Sequence, residues 1–261
     1  GGSAHALRRC MTSLEDQTAA GRFEVVLVDR GAESGAGAWL DTWSPSVPVQ
    51  RVQSDGASAP SAWNAGLRAA RAELVLFLDG DTTAAPDLVQ RHLGAHDETG
   101  PNRAVIGAVT GAAATRSNAL MRALEGQSYG SLSAALDVTR LHDWTAFRLC
   151  NASVSRRAVL EVGGLAEEEC FAGSVDLELG FRLQDVAGVR VVHREEACVQ
   201  HHKEWTFEGL RQWTRERAAS ELQVIAAHPA AGRHRAWRER LAGTASLHDE
   251  LVMQTLPDRA R

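Results

Sequence analysis

Two observations in the sequence predict an α/β fold with parallel crossovers. Strand-like apolar runs alternate with helical patterns from residue 6 to residue 109, and Leu74 to Leu78 form a run apolar on both faces, as a central strand of a covered sheet is. Composition agrees: 261 residues, 44% hydrophobic and 23% charged, suit one large globular domain or a domain with an appendage.

Each element has its own signal. From Ala6 the repeat of Leu7, Cys10, Met11 and Leu14 is helical, and Phe23 to Val28 then form a strand ending at Asp29. Arg30 to Gly37 read as a Gly- and Ser-rich loop, Ala38 to Trp43 as a short helix stopped by Pro45 and Pro48, and Val49 to Val52 as a strand. The next helix starts near Pro60 and aligns Trp63, Leu67 and Ala70. Pro86 and Asp87 open another, with Leu88, Val89, His92 and Leu93 as its buried face, and Arg103 to Val109 follow as a strand. Thr110 to Trp144 carry little pattern, only a weak helical signal at Leu120, Met121 and Leu124. Phe147 to Val154 read as a strand, and Ser155 caps a helix from Arg156 to Val162 that Gly163-Gly164 stop. Val175 to Ala187 form a helix ended by Gly188, with Leu179, Leu183 and Val186 on the face of Asp176, which predicts an inward aspartate. Val189 to Val192 and Ala197 to Gln200 are two short strands, followed by His201-His202. A helix from Phe207 to Ala227, stopped by Pro229, begins a helical C-terminal extension.

Charge and cysteine usage exclude several classes. A net charge of −5 and a pI near 6.1 argue against a dedicated nucleic-acid binder. Cys10, Cys150, Cys170 and Cys198 lie far apart with no C-x-x-C pair, so neither a zinc ribbon nor a disulfide framework is indicated and a reducing compartment is expected. No run approaches the roughly 20 apolar residues of a membrane span, and nothing resembles a signal peptide. The expected location is cytoplasmic, with peripheral contact at the inner face of a membrane allowed.

The chemistry concentrates where the central strand ends, in Asp79-Gly80-Asp81. Two carboxylates one residue apart at a strand's carboxyl end are hard oxygen ligands suited to Mg2+ or Mn2+ held with a substrate phosphate. The same residues also suit a plain polar turn. Asp176 has two readings as well, a helix stabiliser in a first turn or a reactive carboxylate.

Four stretches in order carry a resemblance: Ser13-Leu-Glu-Asp-Gln17 with the strand to Asp29; Asn64-Ala-Gly-Leu with Asp79-Gly80-Asp81 and Pro86; Asn151-Ala-Ser-Val-Ser-Arg-Arg with Val162-Gly-Gly-Leu and Gly173-Ser-Val-Asp176; and Glu196-Ala-Cys-Val-Gln-His201. Together they resemble a family 2 glycosyltransferase of the GT-A fold, a Rossmann-like, mostly parallel central sheet flanked by helices. The resemblance places that domain at residues 1–205 and the helical extension at 206–261.

It implies an inverting enzyme that moves a sugar from a nucleotide-sugar donor, a UDP-sugar first, to an acceptor hydroxyl by single displacement. Mn2+ or Mg2+ would be held by Asp81 and His201, and the donor would be met by Asp29, Asn64, Asp79 and Gly80. Asp176 would be the general base. The acceptor, whether saccharide, lipid-linked, peptide or small molecule, stays open.

Departures from the family pattern support a second reading, a catalytically silent GT-A module that binds a partner. The family's first strand with its Pro-x-x-Asn end has no counterpart, Arg30 stands for a second aspartate, Trp63 for an arginine and Val175 for an acidic residue. Glu216 stands where the Q-x-x-R-W signature begun by Gln212-Trp-Thr-Arg215 requires Trp. A nucleotidyltransferase is a weaker third reading, because no Gly-rich phosphate loop opens the chain.

Overall fold

The computed structural model describes residues 4–30, 37–54, 58–112, 119–124 and 136–233. In order they form α1 (Ala4–Glu15), β1 (Val25–Asp29), α2 (Gly37–Thr42), β2 (Val49–Gln53), α3 (Ala59–Ala69), β3 (Leu74–Leu78), β4 (Thr82–Ala84) and α4 (Leu88–Thr99). Then come β5 (Arg103–Gly111), α5 (Ala119–Leu124), β6 (Asn151–Ser155), α6 (Arg156–Glu161), α7 (Val175–Ala187), β7 (Arg190–His201), α8 (Phe207–Ala227) and α9 (Pro229–Arg233).

Helix boundaries follow local chemistry. Ser58, Ser155 and Thr206 each accept a hydrogen bond from a first-turn N–H, at Ser61, Ala158 and Gly209, capping α3, α6 and α8. Gly188 ends α7 at φ +66°, a left-handed conformation that glycine adopts without steric cost. α4 is capped from a distance, since the side chain at its N-cap, Asp87, makes no capping bond. Gln17, in the loop after α1, accepts from Val89 N–H at 3.0 Å and donates to Ala85 O at 2.7 Å, while Thr18 N–H bonds Pro86 O. The bond from Val89 satisfies one of the N–H groups that a helix start leaves open.

β1 and β2 pair in parallel, and the other five strands form one sheet in the order β3-β6-β5-β7-β4. β5 and β7 are parallel, whereas β3–β6, β5–β6 and β4–β7 run antiparallel. The parallel pairings are those the alternating pattern predicts. The antiparallel ones come from β6 inserting between β3 and β5 and from β4, three residues long, which follows the Asp-Gly-Asp turn without a sequence signal of its own.

One core packs α3, α6 and α7 on β3, β5 and β6 through Leu67, Phe77, Ile106, Val154, Val159 and Leu183. A second joins α1 and α4 to β4 and β7 through Met11, Leu14, Ala84, Leu88 and Val199. A third, Trp144, Leu177, Phe181 and Ala231 with Ile225, seats α8 and α9 against α7. The helices after residue 205 therefore share a core with the sheet's own helices.

Four predicted elements differ. The run Leu74–Leu78, expected as a central strand, is β3 at the edge of the five-stranded sheet, paired with β6 alone among the described strands. The apolar signal from Phe147 divides: Trp144–Ala146 make a 3-10 turn, Phe147 fills the core at 1% exposure, and pairing begins at Asn151. The two strands predicted between Val189 and Gln200 are one twelve-residue strand, β7, with a register shift in its middle. Val186, predicted on the buried face of its helix, is 68% exposed, although Ala187 beside it packs against the core. Two parts of the stretch with little pattern, 113–118 and 125–135, and the tail from 234 lie outside the described residues.

Candidate active site

The site assembles at the carboxyl end of β3. Thr82 donates both its N–H and its hydroxyl to Asp79 O, at 3.2 and 2.7 Å, which folds Asp79-Gly80-Asp81 into a tight turn and starts β4. β4 lies antiparallel to the end of β7 with Thr82 opposite His201, and His202 N–H bonds Asp81 O at 2.9 Å. The turn reading of Asp79-Gly80-Asp81 is thus true of the geometry.

His201 Nε2 stands 3.1 Å from Asp81 Oδ1 and 4.0 Å from Asp79 Oδ2. One ligand atom from each of the three residues lies within 4.8 Å of the other two. Neighbouring donors on a six-coordinate cation with bonds of about 2.1 Å sit roughly 3 Å apart, so two carboxylates and one imidazole at this range fit a divalent ion. His202 turns away, its Nε2 2.7 Å from Thr83 Oγ1. Alternation along β7 therefore separates the two histidines that the sequence left ambiguous.

Electrostatics differ between the two aspartates. Burial raises the Asp79 carboxyl above its ordinary range, an effect that His201 and Lys203 partly oppose and Asp81 and Asp176 reinforce. Burial pushes Asp81 upward too, but the hydrogen bond and charge of His201, with Lys203 behind them, outweigh it and hold the carboxyl low.

Asp176 sits in the first turn of α7, its side chain 14% exposed, between Arg148 Nε at 3.7 Å and Arg217 Nη2 at 3.6 Å. Both arginines are largely buried. The Cys150 thiol is pushed up to about 12, chiefly by burial and then by Asp79 and Asp176, with Arg148 opposing. Cys150 is thus near enough to both Asp79 and Asp176 to feel their charges. Sequence reading missed Arg148, Cys150 and Arg217; Cys150 alone had a signal, since it adjoins Asn151 of the third matching stretch.

Other predicted residues fall elsewhere. Gly80 is exposed at the tip of the turn, and a Cβ there would meet nothing closer than Leu7 at 3.6 Å. Asp29 ends β1, 3.7 Å from Arg51 Nη2. Asn64 is 6% exposed and ties α3 to the loop after α6. Its Nδ2 donates to Leu165 O and Glu167 Oε1, at 2.8 and 2.7 Å, and its Oδ1 accepts from Leu165 N–H at 2.8 Å. Gly164, at φ +77°, leaves room for this amide, since a Cβ there would stand 2.6 Å from Oδ1.

Beneath the site a buried polar chain braces the shifted register of β7. Asn151 Nδ2 donates to Ala108 O and Ala197 O, at 3.0 and 2.8 Å. Its Oδ1 is then the acceptor for His92 Nε2–H at 3.0 Å, which leaves His92 Nδ1 to accept from Ser153 Oγ at 2.8 Å. Ser153 Oγ in turn accepts from His96 Nε2–H at 2.8 Å. Burial, aided by repulsion from His96, lowers the His92 pKa from 6.5 to about 4, so the ring stays neutral.

The fold and this site define the chain's class as that of the GT-A glycosyltransferases. The model of the family described as glycosyl transferase family 2 matches residues 2–162, and the chain belongs to that family. A validoxylamine A glucosyltransferase of Streptomyces hygroscopicus subsp. jinggangensis is 28% identical over 241 residues, 84% of this chain and 54% of that protein. The uncharacterized glycosyltransferase YfnE of Bacillus subtilis is 34% identical over 97 residues, 36% of this chain and 24% of its own length. The chain thus spans about half the length of the first of these relatives. Among solved structures, a mannosyltransferase of Pyrobaculum calidifontis in complex with GDP-Man and Mn2+ superposes with TM-score 0.63 at 19% identity, covering 90% of this chain and 63% of that one. S. aureus TarS in complex with UDP-GlcNAc gives 0.56 at 13% identity, covering 87% and 69%.

Proposed function

We propose that the chain is the catalytic domain of a metal-dependent inverting glycosyltransferase, moving a sugar from a nucleotide-diphosphate sugar to an acceptor hydroxyl by single displacement. The observation that carries this reading is the convergence of Asp79, Asp81 and His201 within 4.8 Å, with Asp176 close enough for its charge to oppose ionisation of Asp79. The relatives' names and the donors named with the neighbouring structures support it.

Asp81 and His201 would hold Mn2+ or Mg2+. When bound, such an ion offsets the negative charge gathering on the departing diphosphate. Asp79 lies beside them toward Asp176, placed for a ribose hydroxyl or a metal-bound water, and Gly80 exposes backbone between the two carboxylates. Asp29 would meet the base or ribose from the end of β1, and Asn64 shapes the donor side through the loop it holds at Leu165 and Glu167. Asp176 takes the proton of the acceptor hydroxyl as that oxygen attacks the anomeric carbon opposite the diphosphate. Such a base contributes about 10²–10⁴-fold.

A UDP-sugar is the first donor to try, in a cytoplasmic setting; no helix among the described residues is long and apolar enough to cross a membrane. The test is calorimetry of the chain against UDP-glucose, UDP-GlcNAc and GDP-mannose, with and without Mn2+, followed by donor turnover. Metal-dependent binding is expected, lost in Asp81→Ala, with turnover reduced at least a hundredfold in Asp176→Asn. Binding without turnover by the unaltered chain would favour a silent module, and turnover untouched by both substitutions would refute the assignment.

A further inference from the structure

We propose that Arg217 of α8 is a positioning residue for Asp176, which makes the helix after the sheet part of the catalytic centre. The proposal rests on Asp176 being the base.

Arg217 is held from two sides. On its own helix its Nε donates to Glu221 Oε1 at 3.0 Å, Glu221 being 4% exposed, and its guanidinium lies 5.5 Å from the Trp213 ring centre. Across the gap its Nη1 donates to Gly173 O at 3.3 Å, and Ser174 Oγ donates back to Arg217 O at 3.3 Å. Gly173 and Ser174 are the two residues before α7, and Asp176 is in its first turn. A Cβ on Gly173 would stand 3.0 Å from Arg217 Cα and Glu216 O, so α8 has approached as closely as backbone allows. One arm of the guanidinium therefore fixes the turn that launches α7, while the other faces the carboxylate at 3.6 Å.

Each Asp176 oxygen meets one cation, Oδ1 facing Arg217 and Oδ2 facing Arg148. Among the described residues, the charged and titratable groups near the carboxylate include these arginines, Asp79 through space and the Cys150 thiol, while Glu221 partly neutralises Arg217 from behind. Two cations this close favour the charged form of Asp176. They also fix the carboxylate plane, so the lone pair that takes the acceptor proton has one direction. Losing Arg217 weakens both effects, leaving Arg148 on Oδ2 and the Leu177 N–H 2.9 Å from Oδ1: Asp176 should hold its proton to higher pH, and its plane should be fixed less firmly.

The test uses Arg217→Met and Arg217→Lys in the full chain, with Mn2+ and whichever of UDP-glucose, UDP-GlcNAc and GDP-mannose the unaltered chain hydrolyses. For Arg217→Met the expected result is kcat down tenfold or more, KM for the donor within twofold, and the acid limb of kcat moved up by about one pH unit, in line with an opposite charge at this range. Arg217→Lys should return most of the limb. A carboxyl-carbon NMR titration, with the Asp176 signal assigned by its loss in Asp176→Asn, reads the same shift without turnover. An inactive unaltered chain would count against the proposed reaction, whereas an Asp176 titration unchanged by Arg217→Met would overturn the role of Arg217.

Discussion

Acid should unfold this protein partly through His92. The ring is 2% exposed, and its pKa falls from 6.5 to about 4 on folding. At about 1.4 kcal/mol per tenfold change in proton affinity, that difference amounts to about 3 kcal/mol. The sign follows from which state binds the proton. Above pH 6.5 both states carry a neutral ring and the contribution to stability is intact. As pH falls from 6.5 toward 4 the unfolded chain takes up a proton that the folded chain refuses, and stability drains away; below 4 both are protonated and the loss is complete. Urea unfolding at steps from pH 7.5 to 4 in the unaltered chain and in His92→Gln isolates this term, because the carboxylates common to both proteins titrate alike. His92→Gln should be less stable at pH 7.5 by about 1–3 kcal/mol, from buried partners left unpaired at Asn151 and Ser153. The gap should then close, or reverse, by about 3 kcal/mol at pH 4. Curves that stay parallel across the range would show that His92 is not held neutral by the fold, and the proton arrangement inferred for the chain from Asn151 to His96 would fail with it.

Three further outcomes follow from the geometry. Gly107→Ala would place a Cβ 1.9 Å from Ala197 O and 2.3 Å from Asn151 Nδ2, so the urea midpoint should fall by the equivalent of about 3 kcal/mol or more. Asn64→Ala strips buried partners from Leu165 and Glu167 and should cost about 2 kcal/mol by thermal or urea unfolding, with donor affinity, measured by calorimetry, changing less than stability does. His201→Ala should abolish the rise in melting temperature that Mn2+ produces, and His202→Ala, which breaks a bond to Thr83, should preserve it.

What the sequence made legible was whatever depends on near neighbours. The helix caps at Ser155 and Gly188, the buried face of α1 and the strand leading into Asp79 all rest on residues within a turn or two of each other, and each is found in place. The ordered motifs brought Asp79, Asp81 and His201 to one place despite 120 residues of separation. Contacts with no local pattern stayed hidden. Gln17 caps a helix that begins 71 residues later, and neither residue announces the other. Arg148 stands between a turn and a strand, where a charged residue looks like solvent-facing punctuation, and Arg217 lies on a helix whose many charges suggest a solvated face.

The register shift in β7 links these observations. Residues pair in step from Arg103–Arg190 to Gly107–Arg194, and then Ala108 meets Cys198, leaving Glu195, Glu196 and Ala197 looped out. Were those three residues paired in step instead, Gly111 would face Cys198 and His201 would lie three positions farther on, about 10 Å past the Asp79 turn. Because three is odd, the loop also reverses which face of the sheet each later residue presents, so it decides that His201 and not His202 turns toward Asp81. The pair of glutamates that made β7 read as two strands is the loop itself. Asn151 holds its two margins by bonding Ala108 O and Ala197 O, and His92 fixes the orientation of Asn151. The neutral histidine in the core and the metal-type cluster at the surface are therefore two ends of one device, and disorder at the first should misplace His201 before it unfolds the sheet.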